Sequence, residues 1–267
     1  MKSFNKIIIN INVIIFLLLS SCDDGRVNVF SIEEDIQMGR EITNEIKSNP
    51  NDFPILSEHK YPEAYASIYN IRDGILASGE LKYADEFDWD IYIIDEEVLN
   101  AFALPGGNTF YYTGLIKYLD DEASLAGVMA HEFAHCDRRH TTNRLTKVYG
   151  YQLILSMLLG NDPSLAAEIA AGLALGLSEL AFSRSDEYEA DEYAVKFLNP
   201  TSWDSRGVAY FFEKMEIEKE SELMKYFSTH PHPDDRIDEI YNHWEDLGKK
   251  EGELYEERYQ DFKGSLP

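Results

Sequence analysis

Residues 128–140 read V-M-A-H-E-F-A-H-C-D-R-R-H, and within them His131, Glu132 and His135 stand in the order H-E-x-x-H. On an α-helix, positions four apart lie on one face, one turn above the other. His131 and His135 can therefore offer two imidazole nitrogens to one metal ion. Glu132 sits one step round, where its carboxylate reaches a water held by that metal. The pattern is that of a zinc hydrolase with Glu132 as general base. The surroundings agree with a helix. Ala123–Ala134 is mostly apolar and helix-forming, and Asp120 and Asp121 precede it as an N-cap and a charged first turn. The bland alternative is a core helix with two satisfied histidines.

The chain has 267 residues, 44% of them hydrophobic, so one sizeable domain or two small ones can bury a core. Its formal net charge is −25. That excess speaks against nucleic acid as a partner, because nothing neutralises a phosphate backbone. No internal repeat is visible, which excludes helical repeat arrays.

The first residues form a targeting segment, 1–21. Lys2 and Lys6 give a basic start, 7–19 is an apolar run broken by Asn10 and Asn12, and L-S-S-C follows at 19–22. This is the layout of a secretory signal peptide, too short for a comfortable membrane span. Its end resembles the lipobox of bacterial lipoproteins, in which the cysteine becomes an acylated N-terminus. Cys22 is then a lipid anchor that holds the domain to a membrane. The other cysteine, Cys136, lies about 100° round the helix from His135 and reads as a packed residue facing away from the metal.

After the anchor, residues 30–47 and 62–78 have helical spacing of apolar residues, with a proline-bearing loop between them. The stretch D-W-D-I-Y-I-I-D at 88–95 alternates like a strand, and N-T-F-Y-Y-T at 108–113 reads as a second. Between them N-A-F-A-L-P-G-G at 100–107 ends in a turn. The expectation is a small antiparallel sheet beside the metal helix. Either strand would offer an edge to which an extended peptide adds by main-chain hydrogen bonds. Residues 141–159 continue as helix. Residues 164–182 are rich in Ala, Leu and Gly, and two internal carboxylates favour a buried or interface helix over a membrane span. Residues 183–197 form a charged helix on which Glu187 and Asp191 share a face while Glu189 points elsewhere.

Catalytic zinc has three protein ligands and an open position. A third histidine six residues after His135 is ruled out, since Thr141 stands there and Arg138 replaces the glycine such sites carry. A carboxylate from a second helix is the other solution, with Glu187 as ligand and Asp191 bonded to the outer nitrogen of a metal-binding histidine.

N-A-F-A-L-P-G-G, then H-E-F-A-H, then S-R-x-x-E-x-E-A-D at 183–191 and T-H-P-x-P-x-x-R-I at 229–237 together resemble metallopeptidase family forty-eight. That group takes in HtpX-like proteases, CAAX prenyl proteases and the mitochondrial Oma peptidases. The resemblance covers roughly Phe30 to Ile240. It implies a zincin-like, gluzincin-type α+β domain, mainly helical, over residues 22–267. It also implies one Zn2+ held by His131, His135 and Glu187, with Glu132 as base and Asp191 as the family's supporting aspartate. His230 matches a histidine that in some relatives lies near the metal, filling its open position or contacting substrate. Arg236 matches a structural arginine. The membrane-embedded branches carry transmembrane helices that this sequence lacks after its signal, which places it nearer the soluble periplasmic branch. It ends too soon after Arg236 for the helical-repeat domain of some relatives.

The function expected is a zinc-dependent endopeptidase of the bacterial cell envelope, lipid-anchored, facing the periplasm or cell exterior. Its partners would be protein or peptide substrates bound as extended strands, with a part in envelope protein quality control. The alternative is a membrane-anchored chaperone-like or scaffold protein whose zinc site, closed by His230, rarely hydrolyses anything. A purely structural zinc site is a third option.

Overall fold

The computed structural model describes residues 22–23, 26–175, 178–218, 224–231 and 235–267. The signal segment expected at 1–21 lies outside them. The chain divides into two compact units, Met1–Ser31 and Ile32–Pro267. In the first, β1 (Cys22–Asp23) pairs antiparallel with β2 (Arg26–Val27). Among the described residues no helix is long and apolar enough to cross a membrane.

The second unit opens with α1 (Ile32–Ser48) and α2 (Pro62–Leu76). A three-stranded sheet follows, built from β3 (Ile91–Ile94), β4 (Ala101–Ala103) and β5 (Thr109–Tyr112) in the order β3-β5-β4. β4 and β5 form a hairpin across Pro105–Gly107, where Gly106 (φ 75°) and Gly107 (φ 93°) take the left-handed conformation that turns the chain. β3 then joins the free side of β5 in parallel, Ile91 opposite Thr109.

The sheet is therefore mixed rather than antiparallel, and the strand at 109–112 is its centre rather than an edge. The reason is β4. Alternation does not mark A-F-A as a strand, but Ala101, Phe102 and Ala103 are all buried. Phe102 stacks on its cross-strand partner Phe110, ring centroids 4.8 Å apart. β3 is covered on its outer side, where Leu56 donates to the Ile93 carbonyl at 2.8 Å and Ile55 bridges Ile94.

After α3 (Thr113–Tyr118) comes α4 (Glu122–Asp137), the metal-motif helix, with every residue buried. Asp121 caps it, accepting from Ser124 N at 2.8 Å. Small residues let other elements approach its backbone. A Cβ on Gly127 would stand 2.1 Å from Val208 N, and one on Gly207 1.9 Å from the Ala123 carbonyl oxygen. The helix carrying Gly207, α9 (Gly207–Glu218), thus meets α4 backbone to backbone.

The helix expected over 141–159 is two helices, α5 (His140–Tyr149) and α6 (Tyr151–Leu158), broken at Gly150 with φ 80°. α7 (Ser164–Leu175) follows, and Leu165, Ile169 and Leu173 are buried as expected of a packed helix. α8 (Arg184–Leu198) starts with a reciprocal cap between Ser183 and Asp186. α10 (Met224–Thr229), α11 (Arg236–Asp246) and α12 (Glu256–Gly264) complete the unit.

Candidate metal centre

α4 and α8 lie side by side, and their facing turns bring His131, His135, Glu187 and Asp191 together. All four are fully buried or nearly so. His131 Nε2 is 3.1 Å from His135 Nε2. Glu187 Oε2 is 3.6 Å from the first ring and Oε1 3.5 Å from the second. Four side chains, His131, His135, Glu187 and His230, each offer an atom within 4.8 Å of the others.

The outer faces of the rings show which nitrogens are free to bind. His140 Nε2 points at Glu189 Oε2, 3.3 Å away, so its proton belongs there and its Nδ1 accepts. His135 Nδ1, 3.0 Å from that acceptor, must then be the donor. His131 Nδ1 lies 2.9 Å from Asp191 Oδ1, close enough to hold its proton although the N–H is not ideally aligned. Both Nε2 atoms are thereby left as lone pairs aimed at each other in a dry core. A cation between them removes that repulsion. In a tetrahedral zinc site with bonds of about 2.0–2.2 Å, ligand atoms stand about 3.4 Å apart. The three separations above fit that figure, so the donor set suits the ion the sequence implies.

Arg236, fully buried, locks the second helix. Its Nε and Nη2 each lie 2.6 Å from an oxygen of Asp191, and its Nη1 lies 2.7 Å from Glu187 Oε2. Burial works to raise the Glu187 and Asp191 pKa values, but Arg236 and the neighbouring histidines hold both below the ordinary carboxylate range. Burial likewise opposes charge on His131, yet Asp191 and Glu187 raise its pKa to about 9, so without a metal a proton on Nε2 meets the same demand for a cation between the two rings. His135, facing other rings, is pushed well below its usual value by burial.

Glu132 is fully buried, and among the described residues neither of its oxygens accepts a hydrogen bond. His230 Nε2 approaches Oε1 at 3.5 Å, while His230 Nδ1 lies 3.1 Å from Glu187 Oε1. Tyr226 stacks on His230 at 4.7 Å. A buried carboxylate is costly unless something with a proton meets it. A proton-bearing group entering beside the histidines would relieve that cost here, since neither oxygen is satisfied among the described residues. Cys136 faces away, its thiol donating to the Leu104 carbonyl at 3.3 Å, and burial pushes its pKa well up.

Comparison with known proteins agrees with this geometry: the model of Peptidase family M48 matches residues 64–243, which contain α4, α8 and Arg236. The chain belongs to peptidase family M48. Over 164 residues it is 30% identical to the beta-barrel assembly-enhancing protease of Escherichia coli (strain K12), covering 57% of this chain and 33% of that protein. It is 28% identical over 158 residues to the mitochondrial metalloendopeptidase OMA1 of Arabidopsis thaliana, covering 58% of this chain and 31% of the relative. With OMA1 of Schizosaccharomyces pombe it shares 25% identity over 217 residues, 80% of this chain and 62% of the relative. The chain thus spans only part of these relatives, from 31% to 62% of their length. The mainly helical M48 domain built round α4 is of the zincin-like kind.

The structure brings Glu132, His131, His135, Glu187, Asp191 and His230 into one cluster. Sequence reasoning missed His140 and Glu189 behind His135, and it underrated Arg236, which touches two buried carboxylates. It also missed Phe182, whose ring stacks on His135 with centroids 3.6 Å apart. A signal for His140 was available: it opens the helix after the motif, five residues past His135.

Proposed function

We propose that this M48 chain is a zinc-dependent endopeptidase of extracytoplasmic proteins. His131, His135 and Glu187 are its metal ligands, of the gluzincin type. Asp191 and His140 fix the outer nitrogens of the two rings. Zinc held by these residues would supply a Lewis acid to polarise the scissile carbonyl and to make the attacking water more acidic. Glu132 takes the proton of the attacking water and hands it to the departing amine. His230, next to Glu132, donates to the oxygen on which charge develops. The peptide lies extended along β4, an edge of the sheet packed against α4.

The observation that carries this proposal is the two Nε2 atoms and Glu187 meeting at one point beside Glu132, whose oxygens accept no hydrogen bond among the described residues. The test compares digestion of an unfolded protein by wild type and Glu132→Gln, with zinc content measured in both. Loss of cleavage with zinc retained supports the assignment. Equal cleavage rules Glu132 out as base.

His230 favours one alternative, a binding or scaffold protein with a closed site, because its ring already lies among the metal-binding atoms. Complementation of a deletion strain by Glu132→Gln separates the two. Full rescue means that hydrolysis is not the function.

The location proposed is the bacterial cell envelope, with Cys22 acylated and the domain facing the periplasm or exterior. The lipobox-like L-S-S-C supports it, and so does a relative named for enhancing beta-barrel assembly, which suggests a part in envelope protein quality control. Incorporation of labelled palmitate that Cys22→Ser abolishes would support the anchor, and labelling unchanged by that substitution would remove it.

A further inference from the structure

Beside the metal centre, against the Phe182 ring, lies a cation that the chemistry above does not use. Arg144 stands one turn after His140 on α5, on the same face. Its side chain is 6% exposed. The guanidinium carbon sits 3.7 Å from the centre of the Phe182 ring, the ring that stacks on His135. Among the described residues Arg144 makes no ion pair within contact distance, and its Nε is buried without a hydrogen-bond partner. At the metal centre itself, Arg236 and a divalent ion would offset Glu132, Glu187 and Asp191 without Arg144. Burial lowers the Arg144 pKa to about 10 despite the attraction of Glu132, Glu187 and Asp186, so the group remains charged at neutral pH.

A largely buried guanidinium whose Nε finds no acceptor is costly in the free protein and strongly binding toward an anion. We propose that Arg144 is a substrate-binding residue that takes a carboxylate of the bound peptide, pairing with it over the Phe182 ring a short distance from the metal. This rests on the peptidase reading of the site. The carboxylate belongs to an acidic side chain or to the chain's C-terminus, and Arg holds either by two parallel hydrogen bonds. Arg144 thereby sets which substrates reach Glu132.

Binding is read with the full chain carrying Glu132→Gln, so that nothing is cut. Fluorescence anisotropy follows four forms of one labelled peptide: C-terminal acid or amide, each with internal Asp or Asn. Arg144→Met should weaken the carboxylate-bearing forms at least tenfold and leave the all-neutral form within twofold. Whichever carboxylate confers the difference identifies its source. Thermal unfolding of the same variants gives a second readout. Removing an unpaired charge should leave the midpoint unchanged or raise it, whereas a purely structural arginine would lower it. Equal affinity for all four peptides, or a lowered midpoint with unchanged discrimination, overturns the proposal. If no peptide binds the protein with Arg144 intact, the peptidase reading falls and this inference with it.

Discussion

Arg236 grips Asp191 at two points, Nε and Nη2 each 2.6 Å from a carboxylate oxygen, inside a core that excludes water from both. The same guanidinium holds Glu187. One side chain on α11 therefore sets the orientation of Glu187, the proposed ligand, and of the carboxylate behind His131. Arg236→Met leaves two buried acids without their cation, a change that costs about 3–5 kcal/mol. Arg236→Lys keeps the charge but not the fork, so it should restore only a minor part. Chemical denaturation of the three proteins measures this.

His135 depends on a longer arrangement, from its Nδ1 through His140 to Glu189, which Arg138 Nε contacts at 2.8 Å. His140→Phe keeps a ring in place and removes the acceptor. Zinc affinity should fall by about 10–100-fold, the usual effect of losing a partner behind a metal-binding imidazole. Glu189→Gln, which keeps an acceptor oxygen, should lie between. Competition with a chromophoric chelator ranks them.

Asp137 ends α4 and accepts from Tyr83 N at 2.9 Å. Burial raises its pKa from 3.8 to about 6, against that hydrogen bond. Below pH 4 the carboxyl is protonated folded or unfolded and has no effect on stability. Above pH 4 the unfolded chain loses the proton first, so the folded state loses ground as pH rises and the full cost is present above pH 6. Asp137→Asn keeps an acceptor without the charge. Its stability advantage over wild type should open between pH 4 and 7 and reach up to about 3 kcal/mol, a ceiling that partial solvation lowers. Urea titrations at three pH values check the sign.

Gly127 and Gly207 allow α4 and α9 to touch backbone to backbone. Gly127→Ala places a methyl where Val208 N stands and should cost at least about 2 kcal/mol. Gly127→Ala should also loosen zinc binding, because α9 no longer seats α4. A melting temperature equal to wild type would show that the crossing is not tight.

Much of the site was legible because its chemistry demands fixed residue types at fixed spacing. H-E-x-x-H specifies one helix face, and Glu187 with Asp191 specifies another. What stayed hidden depended on contacts between distant segments. β4 is a strand because Phe102 finds Phe110 and the core, not because A-F-A alternates. β3 joins the side of β5 that β4 leaves free, and that placement has no local signal either. His140 and Arg144 face the centre because Arg139, at φ 58°, turns the chain between α4 and α5. No local pattern announces such a bend at an arginine.

The central claim is that Glu187 joins His131 and His135 on a single zinc ion. Calorimetric titration of zinc into metal-free wild type and Glu187→Gln tests it most directly. The account predicts one ion per wild-type chain and an affinity at least about 100-fold weaker in the variant, as loss of a ligand exceeds loss of a supporting contact. Equal affinities, or a wild-type chain that binds no zinc, would contradict it.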